Sequence, residues 1–316
     1  MTSAFVFPGQ GSQAVGMGRA LAEAYPAARA VFEEVDQALG AKLSAVIWDG
    51  PEDRLVLTEN AQPALMAVSM AVIRALEAEG IAVPTAAAYV AGHSLGEYSA
   101  LAAAGSLGVA DAARLLRIRG RAMQQAVPVG EGAMAALLGL DLEAAREVAD
   151  EAAAAGGVCQ VANDNAPGQV VVSGSRAAVE RAMELAREKG AMKAVSLPVS
   201  APFHCALMAP AAEAMQAALE EVTISPPAVP LVANVVAAPI SKPDEIRRRL
   251  VEQVTGTVRW REGVLRMAAD GVTMLYEIGA GRVLTGLAKR IDRALKATTV
   301  GTPDDVAALL AAQGDD

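Results

Sequence analysis

Aromatic residues are scarce in this 316-residue chain: Phe, Trp and Tyr make up 3% of it, although 53% is hydrophobic. An interior with so few rings must be closed by alanine and aliphatic side chains, so its helices are expected to approach one another closely. Cysteine occurs twice, as Cys159 and Cys205, at no metal-ligand spacing. That excludes a disulfide framework and a cysteine-rich zinc site, and fits free thiols in a reducing compartment. Histidine also occurs twice, as His93 and His204, so an imidazole base has to be one of these two. Basic residues are outnumbered, 27 Lys and Arg against 36 Asp and Glu, for a net charge of −9; nucleic acid is therefore not an expected partner. The longest apolar stretch, residues 64–73, is too short for a bilayer and contains Ser69. The start, Met1-Thr2-Ser3-Ala4, has neither the basic nor the apolar region of a signal peptide. A cytoplasmic protein with no membrane segment and no metal is expected.

Against these absences stands Gly92-His93-Ser94-Leu95-Gly96. The apolar residues 86–91 before it read as a buried strand and residues 97–104 after it as a helix. Strand, glycine-flanked turn and helix form the context of a nucleophile elbow, in which Ser94 Oγ is presented at the top of a sheet and the Leu95 N–H faces the attacked oxygen. Ser94-x-x-Glu97 equally matches a capping box, in which the serine closes the first helical turn, and both roles are compatible with one residue. A dinucleotide-binding fingerprint competes at Gly9-x-Gly11-x-x-Ala14, with Glu33, Glu34 and Asp36 at a suitable distance. Those acids fall inside an expected helix, 26–39, rather than at the end of a second strand.

The length implies one large domain with an insertion, or two domains. Further strands are expected at 5–7, 133–140, 158–162, 169–173, 192–199, 231–236 and 273–278. Helices are expected from near Val15 and at 63–79, 109–127, 142–154, 176–189, 207–222, 243–255, 260–270 and 283–290, with a turn at 163–168 and a frayed tail, Gly314-Asp315-Asp316. Within 131–199 the order βαββαβ is that of a ferredoxin-like unit. The expected fold is thus α/β: an α/β-hydrolase-like subdomain with a parallel sheet, residues 1–130 and 200–316, plus an inserted ferredoxin-like subdomain, 131–199, with a ligand cleft between them.

Helix 109–127 carries four arginines. At 100° per residue Arg114, Arg117 and Arg121 share a face that reads as solvated, whereas Arg119 falls among Leu115, Ala122, Met123 and Ala126. A buried guanidinium needs an anion, because an unpaired buried charge costs about 3–5 kcal/mol. A carboxylate elsewhere in the chain and a substrate carboxylate held bidentately both satisfy it. His93 adjoins Ser94 at a sharp turn and is poorly placed to reach it, so His204, in a loop between strand and helix, is the imidazole available to activate Ser94.

Five motifs in order, Phe7-Pro8-Gly9-Gln10-Gly11-Ser12-Gln13, Gly92-His93-Ser94-Leu95-Gly96-Glu97-Tyr98, Arg117-Ile118-Arg119-Gly120, Asn165-Ala166-Pro167-Gly168-Gln169 and Phe203-His204, resemble those of the malonyl-CoA:acyl carrier protein transacylase family of fatty-acid synthesis. The resemblance runs from Phe5 to beyond Arg290. It implies Ser94 as nucleophile, His204 as acid–base catalyst, the backbone N–H groups of Gln10 and Leu95 as oxyanion hole, and Arg119 as the grip on the malonyl carboxylate. It further implies that the backbone carbonyl of Gln253 orients the histidine and that Phe203 and Asn165 line the acyl pocket. Phe203 is bulky where many relatives carry a smaller residue, which disfavours an α-methyl group. The implied partners are malonyl-CoA and holo-acyl carrier protein, whose phosphopantetheine brings the acceptor thiol; no cofactor of the chain's own is implied. Both proteins are acidic, so the carrier would dock on basic islands drawn from Arg114, Arg117, Lys289 and Arg290. A monomer is expected. A discrete polyketide-type acyltransferase shares the motifs, and a serine thioesterase or esterase shares the elbow.

Overall fold

Two β-sheets divide the chain, and the computed structural model describes residues 2–314 of it. The ten strands are β1 (Ser3–Phe7), β2 (Tyr89–Gly92), β3 (Gly132–Leu138), β4 (Cys159–Ala166), β5 (Gln169–Ser175), β6 (Lys193–Ser196), β7 (Leu231–Ala233), β8 (Ala238–Ile240), β9 (Met274–Ile278) and β10 (Lys296–Val300). The larger sheet has the order β10-β9-β1-β2-β7-β8 and is parallel except for the antiparallel edge strand β8. The smaller sheet is antiparallel in the order β4-β5-β3-β6. Counted from β3, that is strand order 2-3-1-4, the arrangement of a ferredoxin-like βαββαβ unit. The chain is therefore α/β, with a hydrolase-like parallel sheet and a separate ferredoxin-like sheet.

In the parallel sheet β1 is central, and both of its faces are covered, so Ala4, Phe5, Val6 and Phe7 are all buried. Helix Thr58–Ala78 is buried nearly all round, as its alanine, valine and methionine content requires. It packs on helices Pro26–Leu39 and Val109–Gln125. The strand neighbours change direction around β1, with β2 on one side and β9 on the other, so the loops after β1, β2 and β9 converge at one crevice. A Cβ on Gly96 would lie 2.3 Å from the Phe7 carbonyl oxygen, and one on Gly281 3.0 Å from Ser12 Cβ. These loops touch only because glycine leaves the space.

Several boundaries differ from expectation, each for a local reason. The first helix starts at Arg19, not near Val15, because Gly16 and Gly18 take positive φ and hold the segment in turns. The long buried helix begins at Thr58 and runs through Pro63. Of the segment 163–168, expected as a turn, residues 163–166 belong to β4, with bulges on either side of Asn163–Asp164. They are held there by a parallel bridge from Asn163 to Val258 and by the Asp164–Arg261 ion pair, tertiary contacts that no local pattern announces. The strand at 192–199 shortens to β6, and that at 231–236 to β7. Strands β8 and β10 and helices Leu43–Asp49, Glu52–Leu55, Val83–Ala86 and Pro303–Gly314 were not foreseen. Of the expected polar tail, Gly314 ends the last helix, and Asp315 and Asp316 lie outside the described residues. Glu33, Glu34 and Asp36 sit within helix Pro26–Leu39, away from any strand end, which removes the support for a dinucleotide fingerprint. Among the described residues no helix is long and apolar enough to cross a membrane.

Candidate active site

The turn after β2 places Ser94 at φ 54°, a left-handed conformation that costs a non-glycine residue energy and that the surrounding packing must impose. The imposition is visible at Gly92, where a Cβ would lie 1.8 Å from the Gly96 carbonyl carbon. Helix Gly96–Ala103 starts immediately afterwards, and no side-chain cap closes its first turn. Ser94 is therefore not a capping-box serine. Its Oγ lies 2.7 Å from His204 Nε2 and accepts a hydrogen bond from Arg119 Nη2 at 3.1 Å. The N–H of Ser94 donates to Asn234 Oδ1, and those of Gly96, Glu97 and Tyr98 donate to the carbonyls of His93, Ser94 and Leu95. Among the described residues this leaves the Leu95 N–H as the free donor of the turn.

His204 also has a positive φ, 59°, and is buried in the loop ahead of helix Ala209–Glu220. Its Nδ1 lies 2.9 Å from the Gln253 backbone oxygen. A carbonyl can only accept, so Nδ1 carries the proton and Nε2 is the bare nitrogen that faces the Ser94 hydroxyl. Burial, reinforced by the charge of Arg119 and opposed by the Gln253 carbonyl, takes the imidazole down to about 3. His204 is therefore neutral at physiological pH.

Arg119 is 1% exposed, the largest of the fully buried side chains. Its Nη1 donates to Gln62 Oε1 at 2.7 Å and its Nη2 to Gln253 Oε1 at 2.8 Å, while its Nε has no partner. The guanidinium carbon lies 5.9 Å from the centre of the Tyr98 ring. Burial lowers its proton affinity, against the pull of Tyr98 and Glu97. The charge is thus held by two neutral amide oxygens, the Ser94 hydroxyl and a ring face, with no carboxylate on the fork.

One amide away stands Glu97, buried, with Oε1 accepting from the Asn234 N–H at 2.7 Å and Oε2 accepting from Gln253 Nε2. Gln253 Nε2 also donates to the Ser94 carbonyl at 2.8 Å. Asn234 Nδ2 donates to the Gly92 carbonyl at 2.8 Å, so Asn234 brackets the turn from both sides. Burial pushes the Glu97 carboxyl upward, and the two N–H donors and Arg119 pull it back down. Both of its oxygens accept N–H groups, the pattern an ionised carboxylate makes.

Of the residues singled out in the sequence, Ser94, Leu95, Arg119, His204 and Gln253 are gathered in one cluster. Gln10 follows β1 on the loop against the elbow: a Cβ on Gly9 would lie 2.8 Å from the His93 carbonyl oxygen. The Gln10 side chain is exposed, with Nε2 3.3 Å from Thr58 Oγ1. Asn165 is bonded by Oδ1 to His93 Nε2 at 2.8 Å. Phe203 is 8% exposed and belongs to the main apolar core. Arg117 departs from expectation. Rather than solvated it is 14% exposed, its Nη1 donating to Asn60 Oδ1, with Glu59 beside it, because it lies between the helix it sits on and helix Thr58–Ala78. Gln62, Glu97, Asn234 and the side chain of Gln253 were missed as site residues. Only Glu97 carried a signal, as an acid inside an otherwise apolar helix start. Cys159 and Cys205 are free and buried. Among the described residues no group of three or more His, Cys, Asp or Glu side chains could hold a metal ion.

A strained serine at the C-terminal edge of a parallel sheet, in contact with a neutral, carbonyl-oriented imidazole, defines a hydrolase-like protein equipped for acyl-group chemistry at serine. The model of the acyl transferase domain matches residues 4–308, and the chain belongs to that family. It is similar to the malonyl CoA-acyl carrier protein transacylase of Bacillus subtilis, with 47% identity over 96% of this chain and 94% of that one. The crystal structure of an acyl-carrier-protein S-malonyltransferase from Bartonella henselae superposes with a TM-score of 0.97 at 59% identity, covering 99% of this chain and 100% of that one. A malonyl-transacylase in complex with a type II polyketide-synthase acyl-carrier protein is also similar, with a TM-score of 0.95 and 43% identity over 99% of this chain and 100% of that one.

Proposed function

We propose that the chain transfers the malonyl group from malonyl-CoA to the phosphopantetheine thiol of an acyl carrier protein, through a malonyl ester on Ser94. The observation that carries this reading is the placement of Ser94 Oγ between His204 Nε2, at 2.7 Å, and Arg119 Nη2, at 3.1 Å. A base and a carboxylate receptor meet on one hydroxyl. An acyl group attached there with a free carboxylate would end within reach of the guanidinium.

His204 Nε2 takes the Ser94 proton as Oγ attacks the thioester carbonyl. The N–H groups of Leu95 and Gln10 receive the developing oxyanion, and each such donor is worth about 10²–10³ in rate. The carbon–sulfur bond breaks, and the imidazolium returns its proton to the CoA sulfur. In the second half the carrier thiol gives its proton to His204 and attacks the ester, and Ser94 leaves with that proton. The Gln253 carbonyl holds the tautomer throughout. Acetyl groups have no carboxylate for Arg119 and leave it buried without an anion, which disfavours them. Phe203 and Asn165 line the acyl pocket in this reading.

The cleft runs between a catalytic subdomain, residues 1–130 and 200–316, and an inserted one, 131–199. The carrier docks at Lys289 and Arg290, both exposed; Arg290 Nη1 donates to Gln169 Oε1 at 2.7 Å, beside the strand that carries Asn165. Arg114 remains a secondary candidate, half-exposed and paired with Asp111, whereas Arg117 is too buried to take part. The protein works in the cytoplasm as a monomer and needs no cofactor of its own. Incubation with malonyl-CoA followed by intact-mass measurement tests the function. A malonyl adduct is expected that is absent from Ser94→Ala and persists until holo-carrier protein is added. Prompt release of malonate without an acceptor would instead identify a thioesterase.

A further inference from the structure

Arg119 and Glu97 carry opposite charges in the same buried cluster yet do not touch. The Gln253 side chain lies between them, with its oxygen on Arg119 Nη2 at 2.8 Å and its nitrogen on Glu97 Oε2. An amide can be turned end for end with little change of shape, and which end faces Arg119 depends on its other partners. Three acceptors face its nitrogen side, the Ser94 carbonyl, Glu97 Oε2 and, at 3.4 Å, Asn234 Oδ1. The other Glu97 oxygen is committed to the backbone N–H of Asn234, so the carboxylate cannot rotate away.

We propose that Glu97 is a positioning residue for acyl-group selection: it fixes the Gln253 amide so that an oxygen, not an NH2 group, supports Arg119, and thereby aims the guanidinium at the carboxylate of the acyl group. The inference rests on the reading of Arg119 as the carboxylate receptor. The arrangement gives the site a counter-anion one amide away from the arginine and keeps a carboxylate of the chain's own off the fork. A carboxylate in direct contact would compete with the substrate for the same donors. The burial of Glu97, Asn234, Gln253 and Arg119, none more than 3% exposed, makes the arrangement rigid.

In Glu97→Gln one acceptor becomes a donor. The Asn234 N–H belongs to the backbone and cannot turn, so the substituted side chain keeps its oxygen there and presents NH2 to Gln253. The Gln253 amide then has no satisfactory setting: unflipped, it meets the new NH2 with its own, and flipped, it sets NH2 against Arg119 and its oxygen against the Ser94 carbonyl, so its support of Arg119 is weakened. The test measures kcat and KM for malonyl-CoA and acetyl-CoA in wild type, Glu97→Gln, Arg119→Ala and the double variant, with melting temperatures as a fold control. Glu97→Gln is expected to raise the KM for malonyl-CoA and to lower the malonyl-to-acetyl ratio of kcat/KM by about ten- to a hundredfold, the scale of a lost charge-assisted hydrogen bond. In the Arg119→Ala background the same change should leave the ratio unaltered. Equal losses for both donors, with the ratio kept, would reduce Glu97 to a structural acid and overturn the proposal. If Arg119→Ala alone leaves the ratio unchanged, the reading of Arg119 fails, and the proposal with it. Should Glu97→Gln not fold, Glu97→Asp, which keeps the charge but withdraws it by one methylene, is expected to lower the ratio in the same direction, and an unchanged ratio there would also overturn the proposal.

Discussion

Ser94 Oγ and His204 Nε2 lie 2.7 Å apart although both residues are held at positive φ, 54° and 59°. Two strained backbones facing one another mark a contact that the rest of the fold enforces. Ser94→Ala should abolish the acyl adduct altogether. His204→Ala should lower kcat by about 10²–10⁴, the usual worth of a positioned acid–base group, while leaving the melting temperature nearly unchanged. Single-turnover acylation followed by mass spectrometry reads both.

The charge state of His204 gives a pH signature. Its proton affinity lies below the ordinary value of 6.5, at about 3, so the base form persists through the acid range. The kcat/KM profile should therefore show no loss at about pH 6.5. Arg119→Ala removes the positive charge that helps to depress it. The acid limb, measured with acetyl-CoA to avoid the carboxylate contact, should then move to higher pH.

Stability should respond to the same groups. His93 and His204 are both lowered by burial, so the stability they contribute is complete above 6.5 and is lost as the pH falls towards their folded-state values. Thermal melts across pH 4–9 should show this loss on the acid side of 6.5.

Phe203 adjoins His204 in sequence and belongs to the main core. Phe203→Leu should lower the preference for malonyl over methylmalonyl groups by about tenfold, on the scale of one methylene in a pocket. Phe203→Ala should cost about 3–5 kcal/mol as well. Competition between the two CoA esters and a denaturant titration separate the effects.

Lys289→Glu with Arg290→Glu should raise the KM for the carrier protein and weaken its salt dependence, with the KM for malonyl-CoA unchanged. A joint rise in both would assign the patch to CoA instead.

Local pattern carried much of this molecule. The strand–turn–helix around Ser94 was legible because the glycines at 92 and 96 sit where a Cβ could not, and the limits of helices Leu142–Ala154 and Pro243–Thr255 coincide with the periodicity of their apolar residues. The βαββαβ order of 131–199 could be read from segment types alone. Helical spacing isolated Arg119 from its neighbours on the same helix, and with two histidines in the chain the choice of His204 followed from proximity rules. Strands β8 and β10 escaped because they are short edge strands with little apolar alternation. The strand character of 163–166 escaped because the contacts of Asn163 and Asp164 with Val258 and Arg261 are made across the fold.

What the sequence by itself determined was the set of groups proposed to face the chemistry: a serine on a glycine-flanked turn, one usable imidazole, and an arginine that needs an anion. Only the tertiary structure decided how they are held. Gln62, Asn234, Gln253 and Glu97 come from distant parts of the chain and are polar residues of ordinary local pattern. They become a network because burial forces every donor and acceptor among them to find a partner, and periodicity along the chain carries no information about which partner that is.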